Sequence, residues 1–244
     1  MKIAIIGHKR IPSREGGVEI VVEKLATEFV KKGYQVDVYN RNCKKTKLKE
    51  YKGVKIINIP TINIKGIEAF IYSFLATIKA LFGKYDIIHY HAEGPCAMLW
   101  LPHMFGIKTI ATIHGLDWKR QRWGGFATRY LKLGEKIAAK YADKVIVLSK
   151  EMQDYFKNVY NRNTYFISNG VSKANIEEAD IIKEKYSLEK DSYILFLGRI
   201  VPEKGLHYLI EAFKQIETDK KLVIAGKANH SERIQKTHRK NYKR

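Results

Sequence analysis

The sequence predicts an α/β protein built on a parallel sheet with helices on both faces. Short, near-continuous aliphatic runs recur along the chain, and segments of helical period separate them. Charge also divides the chain. Residues 1–168 hold 29 Lys/Arg against 14 Asp/Glu, residues 169–226 hold 9 against 10, and residues 227–244 hold 7 against 1. The expected organisation is a Rossmann-like domain over 1–170, a partial second Rossmann-like lobe over 171–226, and a basic tail over 227–244 that reads as disordered or non-native.

The elements follow in order. "KIAIIG" (2–7) reads as a buried strand, and Val18, Val21, Val22, Leu25, Ala26 and Phe29 then recur at helical spacing until Gly33 ends the helix. "QVDVYN" and "VKIINI" are strands on either side of the lysine-rich loop 44–55, and a helix fills 66–82. "YDIIHYH" (85–91) and "KTIATIHG" (108–115) are strands flanking a helix over 95–105. "DKVIVLS" (143–149) and "TYFISNG" (164–170) continue the alternation. "KANIEEADIIKEKYSL" is a polar helical connector to "SYILFLGR" (192–199), a helix over about 205–216, and "KKLVIAG" (220–226). Two strands with so few helices leave sheet edges open and bury little apolar area, so the second lobe either leans on the first domain or is shortened, and shortening is the favoured reading.

Composition narrows the function classes. A hydrophobic share of 45% is enough to build a core, so disorder is not the default reading. Cys43 and Cys96 stand far apart without a second thiol at ligand spacing, which predicts a reducing compartment and no disulfide framework. The first apolar run is too short for a signal-peptide core, and no stretch approaches ~18 uninterrupted apolar residues, so a cytoplasmic protein without a membrane span is expected. A net charge of +20 attracts phosphates, nucleic acid or an anionic membrane surface.

"GHKRIPSREGGVE" (7–19) joins a glycine pair to the cations Lys9, Arg10, Arg14 and, if protonated, His8 at a strand-to-helix turn. It lacks both the G-x-G-x-x-G fingerprint and the Gly-Lys-Ser/Thr of a P-loop. Gly16 and Gly17 would let backbone N–H groups approach an anion at the helix start. Equally, they shape the loop while Glu19 caps the helix; the residues alone leave both readings open. In "FLGRIVPEKGLHYLIEAF", Gly198 and Arg199 end a strand, and Lys204-Gly205 starts a helix. Ligands of open parallel sheets sit beyond the carboxyl ends of the strands, where two cations beside a helix N-terminus suit a diphosphate.

"GRIVPEKGLHYLIEAF", "ISNGV", "IIHYH" and "TIHGLDW" together resemble the retaining glycosyltransferases of family 4, with two facing Rossmann-like lobes in the GT-B fold. The opening "IAIIGHKRIPSREGGVEIVVEKLA" is similar to bacterial capsule and exopolysaccharide glycosyltransferases of the rhamnosyltransferase type. The resemblance covers about 1–226. It implies transfer of a hexosyl-type sugar, with retention, from a nucleotide-diphosphate sugar to a polysaccharide or lipid-linked saccharide acceptor. No cofactor or metal is implied.

By the same resemblance, Gly16 and Gly17 contact the donor diphosphate or position the acceptor, with Glu19 beside them. His114 lies near the donor sugar, Arg199 and Lys204 bind the diphosphate next to Gly198, and Asn169 and Gly170 sit near the hinge. His114, Arg199 and Lys204 are thereby assigned catalytic roles. The chemistry agrees: fixed cations aimed at a departing diphosphate lower the barrier, and losing one such group typically costs ~10²–10³ in rate. The leaving phosphate itself is the implied base.

Other residues have plainer readings. His89 and His91 alternate on one strand without a third ligand nearby, which favours a structural role over metal binding. Glu93 could face the acceptor, but a solvated loop residue is the preferred reading. "GLDWKRQRWGG" (115–125), with Asp117 and Trp118 as weak candidates, belongs on the acceptor side by resemblance. The apolar helix 66–82 and the lysines of 44–55 suggest a peripheral contact with the inner face of an anionic membrane.

The chain departs from the family after Gly226, where members normally continue with a Glu-x7-Glu element and a closing helix. The expectation is a shortened chain that binds nucleotide sugar weakly and transfers slowly or not at all. The rival classes are a non-catalytic subunit needing a partner lobe and a basic nucleic-acid-binding protein. Scattered basic residues and the absence of a recognised module argue against the latter, so no specific nucleic acid is expected. A nucleotide-sugar epimerase shares the architecture but not the Gly-Gly and Arg/Lys patterns.

Overall fold

A computed structural model describes residues 1–14, 16–42, 48–61, 64, 67–119, 125–171, 173 and 178–226. The chain divides into two compact units, Met1–Val171 and Ser172–Arg244. The first contains β1 (Lys2–Ile6), α1 (Gly17–Lys31), β2 (Gln35–Asn42), β3 (Glu50–Tyr51), β4 (Val54–Pro60), α2 (Glu68–Leu81) and β5 (Ile87–His91). It continues with α3 (Glu93–Cys96), α4 (Trp100–Met104), β6 (Lys108–Ile113), α5 (Gly125–Tyr141), β7 (Lys144–Val147), α6 (Lys150–Tyr160) and β8 (Tyr165–Phe166). The second contains α7 (Asp180–Tyr186), β9 (Tyr193–Leu197), α8 (Leu206–Phe213) and β10 (Lys221–Ala225).

In the first unit the strand order is β3-β4-β2-β1-β5-β6-β7-β8, parallel throughout except for β3 against β4. Alternation along β1 explains the two-sided burial. Ile3 and Ile5 pack with Val22 and Ala26 of α1 on one face, while Ala4 and Ile6 join the larger core under α2 and α5 on the other. Because β2 and β5 flank β1, the chain reverses its winding direction there. The crevice beyond the ends of β1 and β5 is therefore the expected ligand position in such a sheet.

Several local expectations are corrected. The single helix over 95–105 is two short ones, because Pro102 has no N–H for the Met98 carbonyl. Leu101 N–H takes that carbonyl instead at 3.1 Å, tightening the turn between α3 and α4. The loop 44–55 ends in a hairpin, β3 to β4, turned by Lys52 and Gly53 with φ of 50° and 78°. Its Lys44, Lys45 and Lys47 lie outside the described residues, as do Cys43 and the tail 227–244. The strand over 164–170 is reduced to β8. Two helices not delimited from sequence, α5 and α6, complete the alternation, and the Ser149 hydroxyl caps α6 by accepting Met152 N–H at 3.3 Å.

The second unit pairs β9 and β10 in parallel. Among its described residues Leu188 and Leu206 are buried, whereas Leu195, Leu197 and Tyr208 are exposed.

Candidate functional site

In the first unit the site is built at the carboxyl edge of β1, β5 and β6. Gly7, directly after β1, has φ of 125°, and a Cβ there would overlap the His91 carbonyl oxygen at the end of β5. The Tyr72 hydroxyl on α2 accepts Gly7 N–H at 3.1 Å and donates to the Tyr39 carbonyl at 2.6 Å, tying β1, β2 and α2 together. Ala92, after β5, sits at φ 70° and ψ 160°, a region that costs a non-glycine residue about 1–3 kcal/mol. Its N–H is held by the Thr112 carbonyl at 2.9 Å.

His8 is not one of the loop's cations. It is buried, and burial lowers its pKa to about 4, so the ring is neutral. Asn40, at the position where a dinucleotide fold would carry an acid, exchanges hydrogen bonds with the Ile11 backbone, its Nδ2 donating at 2.9 Å and its Oδ1 accepting at 3.0 Å. The same Oδ1 lies 2.9 Å from His8 Nε2, which makes that nitrogen the donor. Arg14 pairs with Glu23 at 3.2 Å.

Glu19 is buried, and its Oε1 accepts Lys9 N–H at 3.1 Å. A Cβ on Gly16 would overlap Glu19 Oε2, so Gly16 makes room for this fold-back over the start of α1. Gly17 has no such neighbour among the described residues, and its φ is not left-handed. Loop shaping therefore accounts for Gly16 and leaves Gly17 open to a ligand.

His114 follows β6 and is partly exposed. Its Nε2 lies 3.0 Å from Nδ1 of the buried His91, with the rings stacked at 5.2 Å and 26°. His89, on the same face of β5, stands 4.3 Å from the His91 ring and bonds Thr112 Oγ1 at 2.7 Å through Nε2. Burial holds all three neutral: His89 falls to about 3, His114 to about 4 against the opposing pull of Glu19, and His91 well below its usual range. Among the described residues no three His, Cys, Asp or Glu side chains form a set able to hold a metal.

Glu93 is not a solvated loop residue but is fully buried in α3. Gly134 on α5 makes this possible, since a Cβ there would overlap the Glu93 carbonyl oxygen and hold the helices apart. Burial, and then the neighbouring Glu135, raise the Glu93 carboxyl to about 9, so it keeps its proton at neutral pH. Glu135 accepts from Trp118 Nε1 at 2.9 Å, Tyr155 OH at 2.7 Å and Tyr160 OH at 2.5 Å. Trp118 thus anchors the segment after His114 to α5, beside Asp117 in the same turn. Residues 120–124 lie outside the described residues. Asn169 and Gly170 are exposed beyond β8, two strands from β6 at the sheet edge, roughly 10 Å by strand spacing.

In the second unit, Gly198 N–H bonds the Ala225 carbonyl at 3.0 Å, and a Cβ on Gly226 would overlap the Gly198 carbonyl. The chain then makes a tight turn. Val201 N–H bonds the Arg199 carbonyl, and Lys204 N–H bonds the Val201 carbonyl, each at 3.0 Å. Gly205, with φ of 67°, starts α8. Arg199 and Lys204 are exposed, and their side chains have no acidic partner among the described residues. The structure thus gathers Gly16, Gly17, Glu19 and His114 at one edge of the first unit, and Gly198, Arg199 and Lys204 around one turn of the second.

Comparison with known proteins bears on family and fold. The family model Glycosyltransferase Family 4 matches residues 15–174, and the model Glycosyl transferases group 1 matches residues 178–243. An uncharacterized glycosyltransferase of Methanocaldococcus jannaschii is 28% identical over 222 residues, covering 87% of this chain and 57% of that protein. Sucrose-phosphate synthase from Thermosynechococcus elongatus superposes with a TM-score of 0.76 at 21% identity, covering 98% of this chain and 67% of that one. Anabaena HepE, solved with UDP and glucose, gives 0.68 at 18% identity, covering 98% and 64%. These likenesses show a GT-B-like α/β fold. The chain spans 57% and 63% of the lengths of two curated relatives.

Proposed function

The chain belongs to Glycosyltransferase Family 4, and from that premise we propose that it serves retaining sugar transfer from a nucleotide-diphosphate sugar to a polysaccharide or lipid-linked saccharide acceptor. The first unit is the acceptor side and the second the donor side. The observation that carries this reading is the Arg199–Lys204 turn: two exposed cations without acidic partners, immediately before α8. A departing diphosphate matches them in charge and in the fork geometry of arginine.

The finer reading is a rhamnosyl-type donor and a capsule or exopolysaccharide acceptor. The leaving phosphate would act as base, without a metal. HepE, whose structure holds UDP and glucose, supports a nucleotide donor. Thermal shift of the purified chain against a panel of nucleotide sugars tests this. A rise in the unfolding midpoint with at least one of them is expected, followed by a product of retained anomeric configuration. A panel without any shift, together with no sugar transfer, would sink the proposal.

Transfer to a lipid-linked acceptor is best served at a membrane surface, and the helices over one sheet face support that reading. Phe74 on α2, Phe105 directly after α4, and Phe126 and Leu133 on α5 are exposed, and α5 is tied to α2 by the Phe70–Tyr130 ring contact at 5.7 Å. Arg129, Lys132, Lys136 and Lys140 are exposed along α5, whose single acid, Glu135, is buried. Apolar side chains among uncompensated cations fit the interface of an anionic bilayer. No helix among the described residues is long and apolar enough to cross a membrane. The chain is expected to float with phosphatidylglycerol vesicles at low salt and not with phosphatidylcholine. Replacing Lys132 and Lys136 by alanine should weaken this on the order of thirty-fold, at about 1 kcal/mol per cation. Absence of flotation at low salt would rule the surface out.

A further inference from the structure

We infer that His91 is a positioning residue that fixes the tautomer of His114, so that His114 presents Nδ1–H, a neutral hydrogen-bond donor, to an oxygen of the bound ligand.

The argument begins with one shared proton. His91 Nδ1 and His114 Nε2 are 3.0 Å apart, so one must donate and the other accept. Both rings are neutral, and each therefore carries a single N–H. If His114 Nε2 donates, the His91 proton must sit on Nε2. That atom is fully buried and has no hydrogen-bond partner among the described residues. A buried N–H without an acceptor is the costlier arrangement, and orphaned donors of this kind are rare. If instead His91 Nδ1 donates, its Nε2 carries only a lone pair, and His114 must hold its proton on Nδ1. The second arrangement wins because it places every N–H where an acceptor exists or can arrive.

The surroundings preserve it. His89 lies 4.3 Å from the His91 ring without bonding its nitrogens, its own Nε2 being engaged by Thr112. His114 Nδ1 takes no hydrogen bond from the described residues, and the ring is partly exposed beyond β6. The group offered to a ligand is thus an uncharged donor, suited to a hydroxyl or ring oxygen of a sugar. The parallel register that sets His91 beside Thr112, two residues before His114, also brings the two imidazoles together. Any catalytic consequence rests on the transfer reading above; the tautomer does not.

The test uses the full chain labelled with ¹⁵N-histidine, reading the long-range ¹H–¹⁵N pattern of each ring, with His114 assigned by its loss in His114→Gln. The wild type is expected to show His114 protonated at Nδ1 and bare at Nε2. His91→Asn places an amide N–H where Nδ1 stood and should keep that pattern. His91→Gln places its amide at the Nε2 position and should shift His114 toward Nε2–H. Sugar transfer should follow the tautomer, nearly unchanged in His91→Asn and lower by about tenfold in kcat, with little change in KM, in His91→Gln. A wild-type His114 protonated at Nε2, or a His91→Gln chain with the wild-type pattern, overturns the inference. Wild-type tautomer as expected with no sugar transfer would instead count against the transfer reading alone.

Discussion

Removing both cations of the second unit, in Arg199→Ala/Lys204→Ala, is expected to lower transfer by about 10³-fold and to leave the fold intact. Each side chain is exposed and makes no ion pair among the described residues, so its loss should change stability by no more than about 0.5 kcal/mol. The rate effect follows from chemistry: one fixed donor on a developing anion is typically worth ~10²–10³, and two acting on one diphosphate do not add fully. Binding of a nucleoside diphosphate should weaken by about 10²-fold, from two charge-assisted hydrogen bonds of about 1.5 kcal/mol each. Arg199→Lys alone should recover part of both losses, because an ammonium restores charge without the planar fork. Titration calorimetry with a nucleoside diphosphate and a turnover assay decide the matter. A double variant that binds and turns over like the wild type would remove the donor site from this turn.

Gly7→Ala should be the most damaging single change in the first unit. Two costs combine: a φ of 125°, which a side chain adopts at about 1–3 kcal/mol, and overlap with the His91 carbonyl, where overpacking costs about 1–3 kcal/mol more. A loss of about 3–5 kcal/mol in that unit should lower its unfolding midpoint by roughly 10 °C. Gly17→Ala is the matched control. It meets no neighbour among the described residues and has an ordinary φ, so its stability should stay the same or rise slightly. If Gly17 admits a diphosphate, only ligand binding falls. Thermal unfolding of the two variants side by side separates the glycine that builds the edge from the one whose Cβ would meet no neighbour among the described residues. Equal midpoints would contradict the close approach of β1 to β5.

Much of the fold is legible from local pattern. β1, β2, β4, β5, β6, β7, β9 and β10 all lie in aliphatic runs recognisable by eye, and Gly198, Arg199, Lys204 and Gly205 mark a strand-turn-helix passage. The helix break at Pro102 and the Lys52-Gly53 hairpin were also encoded locally, but weaker signals surrounded them. His114 stands at the end of a strand and was visible as such. His91 looked like a metal ligand or a packing residue because its partner lies 23 positions away on the neighbouring strand. Glu93 looked solvated because nothing nearby in sequence shows that Gly134 allows α5 to close over it.

The sequence by itself determined the α/β class, the succession of most strands along the chain, the placement of cations around the second-unit turn, and the kinship with the family. Each of these depends on residue type and spacing along a few turns or one strand. Only the tertiary structure decided which glycine shapes which contact, that His8, His89, His91 and His114 are neutral, that Glu93 keeps its proton, and that His91 meets His114. Those properties arise from desolvation and from ångström-scale approach between distant segments, and they exist only once β1, β5 and β6 lie in register beneath their helices.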